Sequence, residues 1–316
     1  MHSILTVKNV SKKYASHVAL NNVSLDIPSN CIFGLLGPNG AGKTSLIRII
    51  NQITGPDSGE IYFNGEKLSP KHTAEIGYLP EERGLYKKMS VGEQALYLAQ
   101  LKGLKKSDAK KQLIEWFKKF DIYSWWDKKV EELSKGMQQK VQFITTVLHK
   151  PKLLILDEPF SGFDPINANL IKSEILHLKK EGTTIIFSTH NMGSVEELCD
   201  SIALINKSEK ILDGSVKEIR KTFKSNMYEL KFTGSSLAFA NALWSGAKIL
   251  DQKNEDELTS VTLQLQSDLK INQILQLILP VVELHHVNEI VPSMNDIFIQ
   301  KVSETKTVGT QSNFTE

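Results

Sequence analysis

One eight-residue stretch constrains this chain more than any other. Gly37, Pro38, Asn39, Gly40, Ala41, Gly42, Lys43 and Thr44 satisfy the pattern G-x-x-x-x-G-K-[ST]. The stretch lies between a short apolar run, Cys31 to Leu36, and an apolar-periodic segment through Ile47 and Ile50. That order predicts strand, glycine-rich loop and helix. Glycines let backbone N–H groups curl around a phosphate, and the following helix points its positive dipole end at the same place. Lys43 is placed to reach the β- and γ-phosphates of a nucleotide, and the Thr44 hydroxyl, with Ser45 beside it, to bind Mg²⁺.

A second segment supplies what such a loop needs. Leu153 to Leu156 is an apolar run that ends in Asp157, Glu158 and Pro159. A buried strand would deliver Asp157 to the metal and Glu158 to the reacting water. From there the pattern alternates between helix and strand: helix over Ile166 to Leu178, strand over Thr184 to Phe187, helix over Val195 to Cys199, strand over Ser201 to Ile205. Alternation of this kind predicts an α/β fold with a parallel sheet between helices.

Residues 4–27 read as two strands, and Ile61-Tyr62-Phe63 runs into an Asn64-Gly65 hairpin turn. Residues 90–145 read as helical throughout, with apolar spacing of a helix in Val91 to Leu101, Asp108 to Phe120 and Gly136 to Leu148. On residues alone, Leu133 to Gln139 is a helix start capped by Ser134.

At 316 residues there is room for a second, smaller domain. The net charge of +2 is unevenly spread, since residues 1–224 carry the excess of Lys and Arg and residues 225–316 an excess of Asp and Glu. Residues 225–302 read as a small α+β unit of ferredoxin-like type. Its strands are expected near Tyr228 to Phe232, Val261 to Leu265 and Val281 to His286, and its helices over Leu237 to Trp244, Ile271 to Leu279 and Met294 to Val302. Residues 303–316 are polar and read as a disordered tail. No apolar run is long enough to cross a bilayer. Cys31 and Cys199 are the two cysteines, which argues against a disulfide framework and for a reducing cytoplasm. The mild basic excess does not argue for nucleic acid.

Taken in order, Tyr14, the glycine loop, Gly77-Tyr-Leu-Pro80, Leu133-Ser-Lys-Gly-Met-Gln-Gln-Lys140, Leu153 to Pro159, Ser161 to Pro165 and Ser188-Thr-His190 resemble the ATP-binding-cassette (ABC) ATPase family. The resemblance spans roughly residues 2–220. It implies a P-loop NTPase of ABC type over 1–224, with a helical subdomain near 88–148, that binds ATP and Mg²⁺. Tyr14 would stack on adenine and Glu158 would orient the water. Lys43 and His190 would contact the γ-phosphate, and Thr44, Glu81 and Asp157 would hold the metal. Ser134, Lys135, Gly136, Gln138 and Asp164 would reach the ATP of an opposite protomer, a second copy or a related subunit. A separate membrane permease is implied, with the ATPase on the inner face of the cell membrane. Tyr86 and Met89, in the stretch between Glu81 and Leu101, are candidates for touching it.

Two positions depart from the family pattern. Glu81 stands where a glutamine is usual, and Lys135 where a glycine is. Both variants, and the stretch Val291 to Ile299, look like a bacterial subgroup similar to sodium-exporter ATPase subunits, which carry an extra C-terminal domain. The rival reading is a soluble ABC-type mechanochemical ATPase acting on ribosomes or nucleic acid. The single cassette and the lack of a heptad array speak against it.

Overall fold

The computed structural model describes residues 2–307 except Arg83, Ser225, Trp244, Ser245, Asp256, Glu257, Ser267 and Asp268. Two antiparallel strands open the chain, β1 (Ser3–Tyr14) and β2 (His17–Pro28), and bury Leu5, Val7, Val10, Val23, Leu25 and Ile27 on one face. β3 (Ile32–Leu36) is buried along its whole length, as an inner strand of a parallel sheet must be, and leads through the glycine loop to α1 (Lys43–Ile50). β4 (Ser58–Phe63) turns through Asn64 and Gly65, at φ 51° and 83°, into the short β5 (Glu66–Lys67). Positive φ at both turn positions is what a right-twisted two-residue hairpin requires.

β6 (Ile76–Leu79) precedes the helical region, α2 (Val91–Leu101), α3 (Lys106–Lys119) and α4 (Lys135–Val147). This region is not helical throughout. Gly103 at φ 88° and Asp121 at φ 54° end α2 and α3 in left-handed turns, and only single 3₁₀ turns, Tyr123–Trp125 and Val130–Glu132, intervene before α4. The alternating half follows: β7 (Leu153–Asp157), α5 (Pro165–Lys180), β8 (Thr184–Ser188), α6 (Met192–Leu198), β9 (Ser201–Asn206) and β10 (Glu209–Ser215).

The main sheet runs β10-β9-β3-β8-β7-β6. All its pairs are parallel except β10 with β9. β3, β8, β7 and β6 are therefore neighbours pointing the same way. The glycine loop, Ser188 to His190, Asp157 with Glu158, and Pro80 with Glu81 all leave the same sheet edge. In open α/β sheets, ligands bind outside the carboxyl ends of the strands.

The chain divides into compact units at Val216 and Lys217, not after Lys224. α7 (Val216–Thr222), apart from its first residue, and the residues after it go with the second unit. Arg220 Nε donates to the Pro292 carbonyl at 3.1 Å, Lys224 pairs with Glu289 at 2.8 Å, and the Lys301 ammonium lies 5.3 Å from the Phe223 ring centre.

The second unit has the order β11 (Met227–Gly234), α8 (Ser236–Leu243), β12 (Ala247–Glu255), β13 (Leu258–Leu265), α9 (Ile271–Ile278) and β14 (Val282–Ile290). Its sheet, β12-β13-β11-β14, is antiparallel throughout, which is the split βαββαβ arrangement of ferredoxin-like units. Leu230, Phe232, Phe239, Leu263, Ile274 and Ile278 form its core, with the Phe232 and Phe239 rings stacked at 4.2 Å. α10 (Met294–Thr307) carries the helix past Val302, so Ser303 to Thr307 are not part of an unstructured tail. The expectations for residues 308–316 and for Trp244 lie outside the described residues.

Candidate nucleotide site

A cavity of about 390 Å³ opens at the carboxyl edge of the main sheet. The glycine loop lines it from Asn39 onward, while Gly37 and Pro38 are not among the lining residues. The shape of the loop leaves no room for side chains at two points. Gly37 has φ 150°, and a Cβ there would sit 2.2 Å from the Ile205 carbonyl oxygen; Gly42 has φ 115°, and a Cβ there would meet the Ala19 carbonyl oxygen at 2.2 Å. Lys43 is buried, and its Nζ donates to the carbonyls of Gly37 at 2.6 Å and Pro38 at 3.1 Å. Burial holds its pKa below the ordinary lysine value, with Glu158, Asp157 and Glu81 pulling it back up. No side chain caps α1, and its first turn holds no acidic residue, which suits an anion at the helix start.

Asp157 ends β7 with 6% exposure. Burial raises its pKa above the usual aspartate value and Glu158 and Glu81 add to this, while Ser188 and Lys43 oppose it. Glu158 follows at φ 48°, a left-handed conformation that costs a non-glycine residue about 1–3 kcal/mol. The surroundings hold it there. Its N–H donates to the Ser188 carbonyl at 2.9 Å. Its Oε2 accepts from the Thr189 hydroxyl at 3.1 Å, and its Oε1 accepts from the His190 backbone N–H at 3.0 Å. Nδ1 of His190 lies 2.6 Å from the same Oε1, with 72% of that side chain in solvent. The carboxylate is fixed while the imidazole faces open space.

Tyr14, at the end of β1, is 41% exposed on the cavity wall, with the Lys12 ammonium 5.5 Å from its ring centre. Asn39, Gly40, Ala41, Gly42, Lys43, Thr44, Ser45, Glu81, Asp157, Glu158 and His190 line the same space. His17 and Ala19 line it too, although no motif marks them. Thr189 lies inside the Ser188-Thr-His190 motif, but the motif assigns it no role. A hydroxyl at the end of a buried strand, next to His190, was the available signal.

Thr44, Glu81 and Asp157 thus share one cavity. Among the described residues no group of three or more His, Cys, Asp or Glu is arranged to hold a metal ion. Two carboxylates and a hydroxyl suit Mg²⁺, which takes one or two protein carboxylates and completes its shell with phosphate oxygens and water.

The remaining sequence candidates stand apart from this cavity. Ser134 caps α4, its Oγ accepting from the Met137 N–H at 3.3 Å. Gln138 uses its amide on the carbonyls of Val130 at 3.2 Å and Leu133 at 3.0 Å, and so braces the turn before α4. Lys135 and Gln138 line a second cavity of about 730 Å³ with Ser161 and Gly162, and Glu81 forms part of its wall as well. Gly136 sits beside Gly162 and Phe163. Asp164 caps α5 by accepting from the Asn167 N–H at 3.0 Å, and its hydrogen bonds from Asn167 hold its pKa low.

A phosphate loop, a buried carboxylate pair and a histidine, gathered at the carboxyl edge of a parallel sheet, define a P-loop ATPase. A sequence profile described as ABC transporter matches residues 20–161. Another, described as ATP-binding protein DrrA1-3-like, C-terminal domain, matches residues 214–302. The chain is similar to the uncharacterized ABC transporter ATP-binding protein YhaQ of Bacillus subtilis (strain 168), 43% identical over 309 residues, covering 95% of this chain and 98% of that protein. The linearmycin resistance ATP-binding protein LnrL of the same organism is 30% identical over 292 residues, covering 90% and 92%. A solved structure of an ATP-binding subunit of an ABC transporter aligns with a TM-score of 0.66 at 30% identity, over 70% of this chain and 93% of that one. The chain belongs to the ATP-binding proteins of ABC transporters and is an ATP-hydrolysing transporter subunit.

Proposed function

We propose that two copies of this chain, or one copy and a related subunit, close head to tail around two Mg-ATP and thereby drive a separate membrane permease that works as an exporter. The observation that carries this reading is a division within the chain. The phosphate loop, Asp157, Glu158 and His190 line one cavity, whereas Ser134, Lys135 and Gly136, at the start of a 13-residue helix, do not line it. A helix start is a ready anion site. Supplied by a second chain, it would meet the γ-phosphate from the open side, where His190 already faces.

In the closed pair, Tyr14 stacks on the adenine, and the loop N–H groups and Lys43 hold the β- and γ-phosphates. Thr44, Asp157 and Glu81 hold Mg²⁺, which would neutralise charge on the phosphates. Glu158 orients the attacking water, and His190 steadies the γ-phosphate. From the opposite chain, Ser134, Gly136 and the Lys135 ammonium add donors, Gln138 braces that helix start, and Asp164 fixes the loop joining the two sites.

The permease reading is supported by a groove of about 400 Å³ on the first unit, whose walls include Ile53, Tyr78, Leu85, Leu98 and Leu101. Pro80, Gly84 and Leu85 help to form it, so the loop that carries Glu81 borders the groove and both cavities. No described helix is long and apolar enough to cross a membrane, which fits a subunit that works from the inner face through a partner. Tyr86, 54% exposed, stands near that loop, available for contact. LnrL is named for resistance to linearmycin, and outward pumping is one route to resistance, which favours export. The test is the mass in solution of the Glu158→Gln chain. ATP with Mg²⁺ should double it, and a strictly monomeric chain under saturating Mg-ATP would exclude the pairing of two copies.

A further inference from the structure

The helix that begins at Ser134 is tied to the loop that carries Glu158 by one buried side chain. Gln139, on α4, is 7% exposed, and its Nε2 donates to the carbonyl oxygen of Pro159 at 3.0 Å. Its Oε1 is buried with no hydrogen-bond partner. An orphaned buried polar atom in a native fold calls for an explanation. An apolar side chain of the same length would avoid it, but would leave the Pro159 carbonyl unheld. That carbonyl belongs to the residue directly after Glu158, the one held at φ 48°.

The same helix meets the loop a second time. The Cβ position of Gly136 lies 3.8 Å from the Gly162 carbonyl oxygen and 3.9 Å from Phe163 Cδ1. Between these contacts the loop is turned on itself, Ser161 N–H donating to the Glu158 carbonyl at 3.1 Å and Phe163 N–H to that of Phe160 at 3.2 Å. The start of α4 and the backbone of Glu158 are therefore mechanically joined, and Gln139 is the polar half of the joint.

We propose that Gln139 is a positioning residue: by holding Pro159 it sets the backbone of Glu158, and it passes to Glu158 any shift of α4 caused when a phosphate of the opposite chain docks at Ser134 and Gly136. This deepens the two-chain reading above and rests on it for the phosphate at α4. Gln139 does not line the cavity of the phosphate loop. It makes each chain's water-orienting carboxylate responsive to the nucleotide held by its neighbour.

The test uses the full-length chain with two substitutions. Gln139→Glu keeps the shape but replaces the donor by an acceptor facing a carbonyl, and Gln139→Met keeps the length and removes both polar atoms. Steady-state ATP hydrolysis, equilibrium binding of a fluorescent ATP analogue and the melting midpoint are measured for each. Misplacing a catalytic group without touching substrate lowers kcat alone, so kcat should fall about tenfold or more while KM and nucleotide affinity stay within about twofold. The Met variant should melt close to the parent. Parental kcat in either folded variant overturns the proposal. So does a parallel fall of kcat, affinity and melting midpoint, which would mark a purely structural side chain. The Glu158→Gln chain separates the two ideas. If it dimerises with Mg-ATP while the Gln139 variants turn over normally, only the positioning role fails; if it never dimerises while the Gln139 variants lose kcat selectively, the pairing of two copies fails and the hold on Glu158 stands.

Discussion

Oε1 of Glu158 accepts the backbone N–H of His190 at 3.0 Å and lies 2.6 Å from Nδ1 of the same residue, so the end of β8 grips the carboxylate that β7 delivers. With Thr189 on its other oxygen, Glu158 has little freedom to turn. A carboxylate held this way is suited to orient water and poorly suited to swing between partners.

Glu158→Gln should therefore be a clean chemical test. Glutamine has the same shape, and its oxygen can still accept one of the two N–H or O–H groups now bound. ATP affinity should stay near parental while turnover drops roughly 10²–10⁴-fold, the range for a positioned base. Phosphate release and nucleotide binding measure the two separately. Hydrolysis within twofold of the parental rate would remove Glu158 from the mechanism.

Asp157 makes the opposite demand. Burial raises its folded pKa above the unfolded value, so between those values the folded state holds the extra proton and stability declines as pH rises. The penalty is complete above the folded pKa and relieved as acid protonates the group. Asp157→Asn removes the buried charge without changing shape, so the apo chain should melt at a higher temperature at pH 7 than the parent. That gain should shrink toward pH 4, while Mg²⁺-dependent ATPase activity is lost. Melting curves across pH check the sign. An Asn variant that is less stable at pH 7 would show that Asp157 holds the apo fold together.

The glycine loop predicts a contrast between neighbours. Gly37→Ala forces a Cβ to within 2.2 Å of the Ile205 carbonyl oxygen, so the backbone must move; we expect more than about 2 kcal/mol of lost stability. Gly40 has φ 78° with nothing within 4 Å of its Cβ position, and Gly40→Ala should cost only about 1 kcal/mol, for the left-handed turn. Chemical denaturation of both variants decides. Equal losses would mean that crowding at Gly37 is relieved at little cost.

Much of this arrangement could be read from residues alone, because the decisive segments are local. Glycine spacing dictates the phosphate loop, and the unbroken apolar run Leu153 to Leu156 dictates a buried strand ending in acids. What stayed hidden is set by packing between distant parts. β6 is only four residues long, and β10 and β12 lie at sheet edges where half-exposed, largely polar strands show no alternation. Gln139 and Thr189 owe their roles to a carbonyl and a carboxylate far off in sequence. No pattern in a 13-residue helix reveals which of its glutamines braces its own turn and which holds another loop. Gln138 and Gln139 lie in the same motif and the resemblance gives a role only to Gln138, yet the side-chain hydrogen bond reaching the Glu158 loop belongs to Gln139.

Ser134 calls for a substitution chosen to separate two functions. It caps α4 through the Met137 N–H, so alanine would weaken the helix by about 1 kcal/mol whatever happens at a phosphate. Glycine is nearly as good a cap, differing by a few tenths of a kcal/mol, but offers no hydroxyl. Ser134→Gly should therefore leave the melting midpoint and ATP binding by the monomer almost unchanged. If the hydroxyl donates to a phosphate held by the opposite chain, turnover should still fall about tenfold, and the loss should persist at saturating ATP because the missing donor acts after binding. Steady-state kinetics against ATP, beside binding to a dilute monomer, give the answer. A Ser134→Gly chain with parental kcat would confine Ser134 to capping α4 and leave the donors at that helix start to Lys135 and the backbone.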